Sequence, residues 1–147
     1  MKFVIDTNIM VAALRSKSGC SRRWLDAALR GRVSMLVSVP LMLEYEDVLK
    51  RPEHLLATRM RTEDVNQFLD GLSGIVEPVC VSYLWRPRLS DPADEMVLEA
   101  AVNGRADWIV AYNVRDYAGI PESFRIAVGA PAPVWQHLFE TSEHAQK

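Results

Sequence analysis

The chain has 147 residues, 49% hydrophobic and 24% charged, which suits one globular domain with a proper core and excludes a disordered or low-complexity chain. The formal charge of −2 does not mark a nucleic-acid binder, yet residues 1–32 carry seven Lys/Arg against two acids, leaving ten basic and seventeen acidic side chains elsewhere. Cys20 and Cys80 are too few for a disulfide scaffold, no apolar run nears the roughly 20 residues of a membrane span, and Asp6 comes too early for a signal peptide, so a cytoplasmic protein without membrane attachment is expected.

Residues 2–5 read as a short buried strand, and 7–15 as a helix with Ile9, Met10, Ala13 and Leu14 on one face. Gly19 and Ser21 break that pattern. A second helix runs from about 21 to 30, with Trp24, Leu25, Ala28 and Leu29 inward and Gly31 closing it. Val33–Val37 reads as the next strand, and Ser38 with Pro40 starts a helix that reaches about Lys50, before Arg51-Pro52. Residues 53–74 are helical, with a start marked by Thr62, Glu63 and Asp64. Ile75–Val81 is a strand that Pro78 pushes to a sheet edge. After a loop over 85–92 come a helix at 93–103, a strand at 108–111 and a last strand at 125–128. Pro131 and Pro133 precede a closing helix. One domain over residues 1–140 and a polar tail over 141–147 are expected, without linker or internal repeat. Strands alternating with helices predict an α/β fold with three layers, α/β/α, around a parallel sheet of four to five short strands.

Against that frame, four acids take on meaning. Asp6 ends the Phe3-Val4-Ile5 run, Glu44 follows Leu36-Val37 into the next helix, Asp94 opens an apolar helix, and Asp116 lies just past Trp108-Ile109-Val110. The C-terminal ends of parallel strands share one edge, where ligands bind. Carboxylates gathered there repel one another unless a cation joins them, which points to a hard-metal site. Each residue also has a plainer reading. Asp6 is placed to cap the helix that follows it. Asp94 shares a face with Val97, Leu98 and Ala101, but also fits position N3 of a helix capped by Asp91 with Pro92 at N1. Glu46 and Asp47 flank Glu44 closely, and spacing alone does not choose among them. Asn113 and Asp116 are acceptable oxygen ligands and equally ordinary turn formers. The basic first third is either a surface for a phosphate backbone or a set of solvated helix faces.

The motifs taken together resemble the PIN-domain family of metal-dependent ribonucleases, and in particular its VapC-like toxins. Lys2 to Leu14, with Asp6-Thr7-Asn8, is similar to that family's opening strand and Asp-Thr-Asn motif. Ser38 to Leu49 resembles the second motif, with Glu44 as its acid, and Asp91 to Ala101 the third, with Asp94 central. Ala106 to Val110 leads to the fourth, Asn113 to Tyr117; the likeness covers about residues 1–130 in the expected order. Two positions depart from it: Ala111 stands where Thr is common, and Asn113 where Asp is frequent, although one subgroup carries Asn there with an acid such as Asp116 three residues later. The resemblance implies one or two Mg²⁺ or Mn²⁺ ions on Asp6, Glu44, Asp94 and Asp116, with Asn113 assisting. It implies Thr7, Asn8, Asp91 and Arg15 in supporting or substrate-binding roles. It further implies RNA as substrate, products with a 5′-phosphate and a 3′-hydroxyl, a cognate antitoxin protein and a homodimer.

Other chemistry finds little footing. No Gly-rich phosphate loop or Gly-x-Ser-x-Gly elbow is present. His54, His137 and His144 lack ligand spacing and read as surface residues. Trp24, Trp108 and Trp135 read as core, while Trp85 in its loop fits either core or base stacking. An aspartyl-phosphate enzyme with Asp6 as nucleophile would want a second acid where Asn8 stands. A PIN-like RNA- or protein-binding module with weakened catalysis is the other alternative, permitted by Ala111 and Asn113.

Overall fold

The computed structural model describes residues 1–82, 89 and 91–140; the loop position Trp85, the tail at 141–147 and His144 lie outside the described residues. In strand β1 (Lys2–Ile5), the consecutive residues Phe3, Val4 and Ile5 are all fully buried. Successive strand residues face opposite sides, so helices must cover both faces of this strand. Phe3 meets Trp24 of α2 (Cys20–Leu29) at 5.0 Å between ring centroids. Helix α6 (Pro92–Asn103) runs across β1, β2 (Ser34–Ser38) and β4 (Trp108–Val110).

With β3 (Glu77–Val79) and β5 (Ala127–Gly129) these strands form a five-stranded, all-parallel sheet in the order β3-β2-β1-β4-β5. The α/β architecture is the expected one. β3 is shorter than the sequence suggests and pairs only with β2, so Pro78, which has no N–H to give, stands in an edge strand. The chain leaves β1 toward β2 on one side, while β4 joins β1 on the other. That reversal opens a crevice at the C-terminal ends of β1 and β4.

The remaining helices are α1 (Thr7–Arg15), α3 (Val39–Leu49), α4 (Pro52–Thr58), α5 (Thr62–Ser73), α7 (Ile120–Phe124) and α8 (Pro131–Trp135). Several of their ends follow local chemistry. Ser38 caps α3 by accepting from the Leu41 N–H at 3.2 Å, and Asp91 caps α6 by accepting from Ala93 at 2.9 Å. The segment 53–74 is two helices, not one, because Arg59 turns left-handed (φ 60°) after α4. Leu29 is 44% exposed, not inward, since α2 ends there and the chain turns away through Gly31 at φ 72°. Pro131 and Pro133 lie within α8 itself, where a first turn tolerates proline. A wider turn over Gln136–Glu140 continues it. Among the described residues, no helix is long and apolar enough to cross a membrane.

Candidate functional site

Asp6 follows β1 directly, and its backbone N–H bonds the Val110 carbonyl of β4 at 3.0 Å, which fixes it in the crevice. Its two carboxylate oxygens do different work. Oδ1 accepts from the Asn8 N–H at 3.0 Å and caps α1, while Oδ2 accepts from the Tyr117 hydroxyl at 2.7 Å. The capping role and the site position therefore coexist in one side chain. The same Tyr117 hydroxyl lies 3.3 Å from Asp94 Oδ1, so one phenol joins acids from β1 and α6. Tyr117 belongs to a short 3-10 turn, Val114–Tyr117, that follows β4. Burial and then the charges of Asp6 and Asp94 hold its hydroxyl protonated far above the usual range. Tyr45 braces the strand end from α3 by donating to the Ile5 carbonyl at 2.5 Å.

Asp6, Thr7, Asn8 and Glu44 line a pocket of about 310 Å³ whose opposite wall is Asp91, Ala93 and Asp94. Asp6 and Asp94 are only 6% and 7% exposed. Burial, then the negative charges of Asp6, Asp91 and Asp116, pushes the Asp94 carboxyl up to about 7; the Tyr117 hydrogen bond opposes this weakly. Asp116 thus acts electrostatically on the site although it is exposed and does not line the pocket. Asn113 is exposed as well and turns its amide toward Asp116, with Nδ2 donating to Oδ1 at 3.0 Å. Arg15 stands away from this pocket, beside Lys17 and Arg59 in another hollow.

Glu46 and Asp47, the neighbours that spacing left in competition with Glu44, pair instead with Lys50 at 3.1 Å and Arg51 at 3.2 Å. Two pocket residues carried no sequence signal. Arg51 lines the wall from the α3–α4 junction, and His54 from the first turn of α4. His54 is therefore not the plain surface residue expected: its Nδ1 lies 2.7 Å from the Val48 carbonyl, which directs Nδ1–H there and leaves Nε2 for the pocket side. Glu95 is buried too, and its Oε1 accepts from the Leu89 N–H at 2.6 Å, holding the segment that leads to Asp91. Of the tryptophans, Trp24 is fully buried, and Trp108 and Trp135 pack against the core.

The donors in the pocket are carboxylate, hydroxyl and amide oxygens, a set that suits a hard cation and no soft one. Among the described residues, no three His, Cys, Asp or Glu side chains form a ready-made metal cluster. An ion such as Mg²⁺ does not require one, because it keeps several waters and takes only one or two carboxylates. The elevation of Asp94 is the sign of a charge imbalance that such an ion would correct.

Comparison with known proteins agrees with this architecture. No curated protein matches the chain. Two toxin–antitoxin structures share its fold at low identity. VapBC2 from Rickettsia felis, bound to a DNA fragment from its promoter, aligns at 15% identity and TM-score 0.59 over 87% of this chain and 97% of that one. FitAB bound to the IR36 DNA fragment aligns at 16% and 0.56 over 88% and 94%. A sequence model of the PIN domain matches residues 2–115, the span from β1 through the turn that carries Asn113. The chain belongs to the PIN-domain family.

Proposed function

We propose that this protein is a metal-dependent endoribonuclease and the toxin of a toxin–antitoxin pair. PIN domains are generally nucleases, and the structural likeness to VapBC2 and FitAB favours the toxin reading. The observation that carries the proposal is the convergence of Asp6 and Asp94 on one phenol, beside Glu44, in a pocket open enough for a phosphodiester.

Asp6, Glu44 and Asp94 would hold Mg²⁺ or Mn²⁺, with Asp116 adding negative charge from the rim. When bound, the metal supplies an activated water and stabilises charge on the phosphate. The chain's own residues supply position. Tyr117 keeps the Asp6 and Asp94 carboxylates turned toward each other, and Tyr45 holds the strand end that carries Asp6. Thr7 and Asn8, at the start of α1, offer hydrogen bonds to a phosphate beside them. Arg51 and His54 oppose the acids across the pocket, where a cationic or donor group meets phosphate oxygens.

The test is cleavage of a mixed RNA panel with Mn²⁺ or Mg²⁺, with EDTA and Asp94→Ala as controls. Cutting lost in both controls is the expected result. Undiminished cutting by folded Asp94→Ala would overturn the assignment, and RNA binding with no metal-dependent cutting would favour the binding module instead. An antitoxin that blocks the pocket is expected to do so with an Arg or Lys that takes the cation's place among the carboxylates.

A further inference from the structure

The helices that frame the acidic pocket also frame a second hollow. Thr7 and Asn8 of α1 and His54 of α4 belong to the first. Farther along the same two helices, Leu14 and Arg15 of α1 and Ala57 and Thr58 of α4 line a hollow of about 510 Å³, completed by Lys17 and Arg59. The rise of a helix puts Arg15 about 12 Å beyond Thr7 along α1. Both helices pass the two hollows in the same order, so the hollows are two ends of one cleft, acidic at one end and basic at the other.

The basic end has three cations and no carboxylate in its lining. Among the described residues, Arg22, Arg23, Lys50, Arg51 and Arg61 have acidic partners, whereas Arg15, Lys17 and Arg59 have none. All three are exposed. Arg59 also occupies the left-handed position that ends α4, where glycine would be free of strain.

We propose that this hollow binds a backbone phosphate of single-stranded RNA, about two nucleotides from the phosphate in the acidic pocket, through Arg15, Lys17 and Arg59. The inference rests on the nuclease reading, which puts a phosphodiester at the acidic end. An acidic protein segment would also match three cations, but following the cleft would carry its carboxylates against Asp6, Glu44 and Asp94. A phosphate chain avoids that conflict because the proposed cation neutralises it there.

The experiment is fluorescence anisotropy of a labelled oligouridine with the full chain carrying Asp94→Asn, with and without Arg15→Gln, Lys17→Gln and Arg59→Gln together. Each lost phosphate contact on a single strand removes about 0.7 from the slope of log affinity against log salt, so the combined variant should be shallower by about 2. Between about 0.05 and 0.2 M salt it should therefore lose roughly 20-fold less affinity than its parent. Arg59→Gly alone relieves the backbone while removing a charge, so weaker binding by that variant is no folding defect. An unchanged slope in the combined variant overturns the proposal. So does a loss confined to polyglutamate binding, which would assign the hollow to an acidic protein segment. The two readings fail separately: wild-type protein that never cuts RNA but shows the slope change sinks the nuclease alone, and metal-dependent cutting with an unchanged slope sinks the phosphate site alone.

Discussion

Tyr117 holds together acids 111 and 23 residues away in sequence, and its loss should be felt in both stability and activity. Tyr117→Phe keeps the ring and deletes the donor, leaving two buried carboxylates facing each other. A destabilisation of about 1–3 kcal/mol by denaturant unfolding is expected, with RNA cleavage reduced. The elevation of Asp94 has its own signature in pH. Its carboxyl rises from 3.8 to about 7 on folding, so the folded state binds that proton more tightly than the unfolded chain. Its contribution to stability is full below about 4, falls as pH rises and is gone above about 7. In metal-free protein, Asp94→Asn should therefore melt increasingly above the wild type from pH 4 to pH 7, with a constant gap beyond. Added Mg²⁺ should close that gap above pH 7 by stabilising the wild type alone; a gap indifferent to pH would contradict the stated cause. Asp6 and Asp94 were legible because each follows or opens an element whose apolar pattern is plain. Tyr117 and His54 were not, since a hydroxyl aimed at a distant acid and a ring anchored on Val48 leave no periodic trace.

Elements with strong local chemistry were the easiest to read. Ser38 and Asp91 announce their helices as side-chain caps, and Pro78 marks its strand as an edge. The stretch from Val114 to Phe124 was not read, because its two short turns show no apolar period and depend on Gly119 at φ 84°. The junction of β5 with α8 was equally hidden, although it leaves no spare volume. A Cβ on Gly129 would stand 2.3 Å from Val134 Cγ2 and 3.3 Å from the Trp108 ring. Gly129→Ala should therefore destabilise by about 1–3 kcal/mol through overpacking. Mg²⁺ binding by the folded fraction should be unaffected, as titration of the variant below its melting range would reveal.

Across the whole molecule, the region matched by the PIN-domain sequence ends at residue 115, but the fold does not. β5 completes the sheet beside β4, and α8 with the turn after it closes over Trp24. The Trp24 indole donates to the Pro131 carbonyl at 3.0 Å, and its ring meets Trp135 and Phe139 edge-on at 5.4 and 5.9 Å. A chain truncated after residue 130 should lose this cover. Red-shifted tryptophan emission and a broadened unfolding transition are expected; native-like emission would mean that the segment is dispensable. The sheet order itself was beyond reach of a single chain's pattern, since alternating strands and helices predict parallel pairing without saying which strands are neighbours. That order has a consequence for the protein's birth on the ribosome. The pocket takes Asp6 from the first strand, but the hydroxyl that orients it arrives only with Tyr117, after the fourth strand has paired with the first. A nascent chain that has emerged only as far as its third strand cannot assemble the site, so any harm this protein does its host waits until most of its own translation is over.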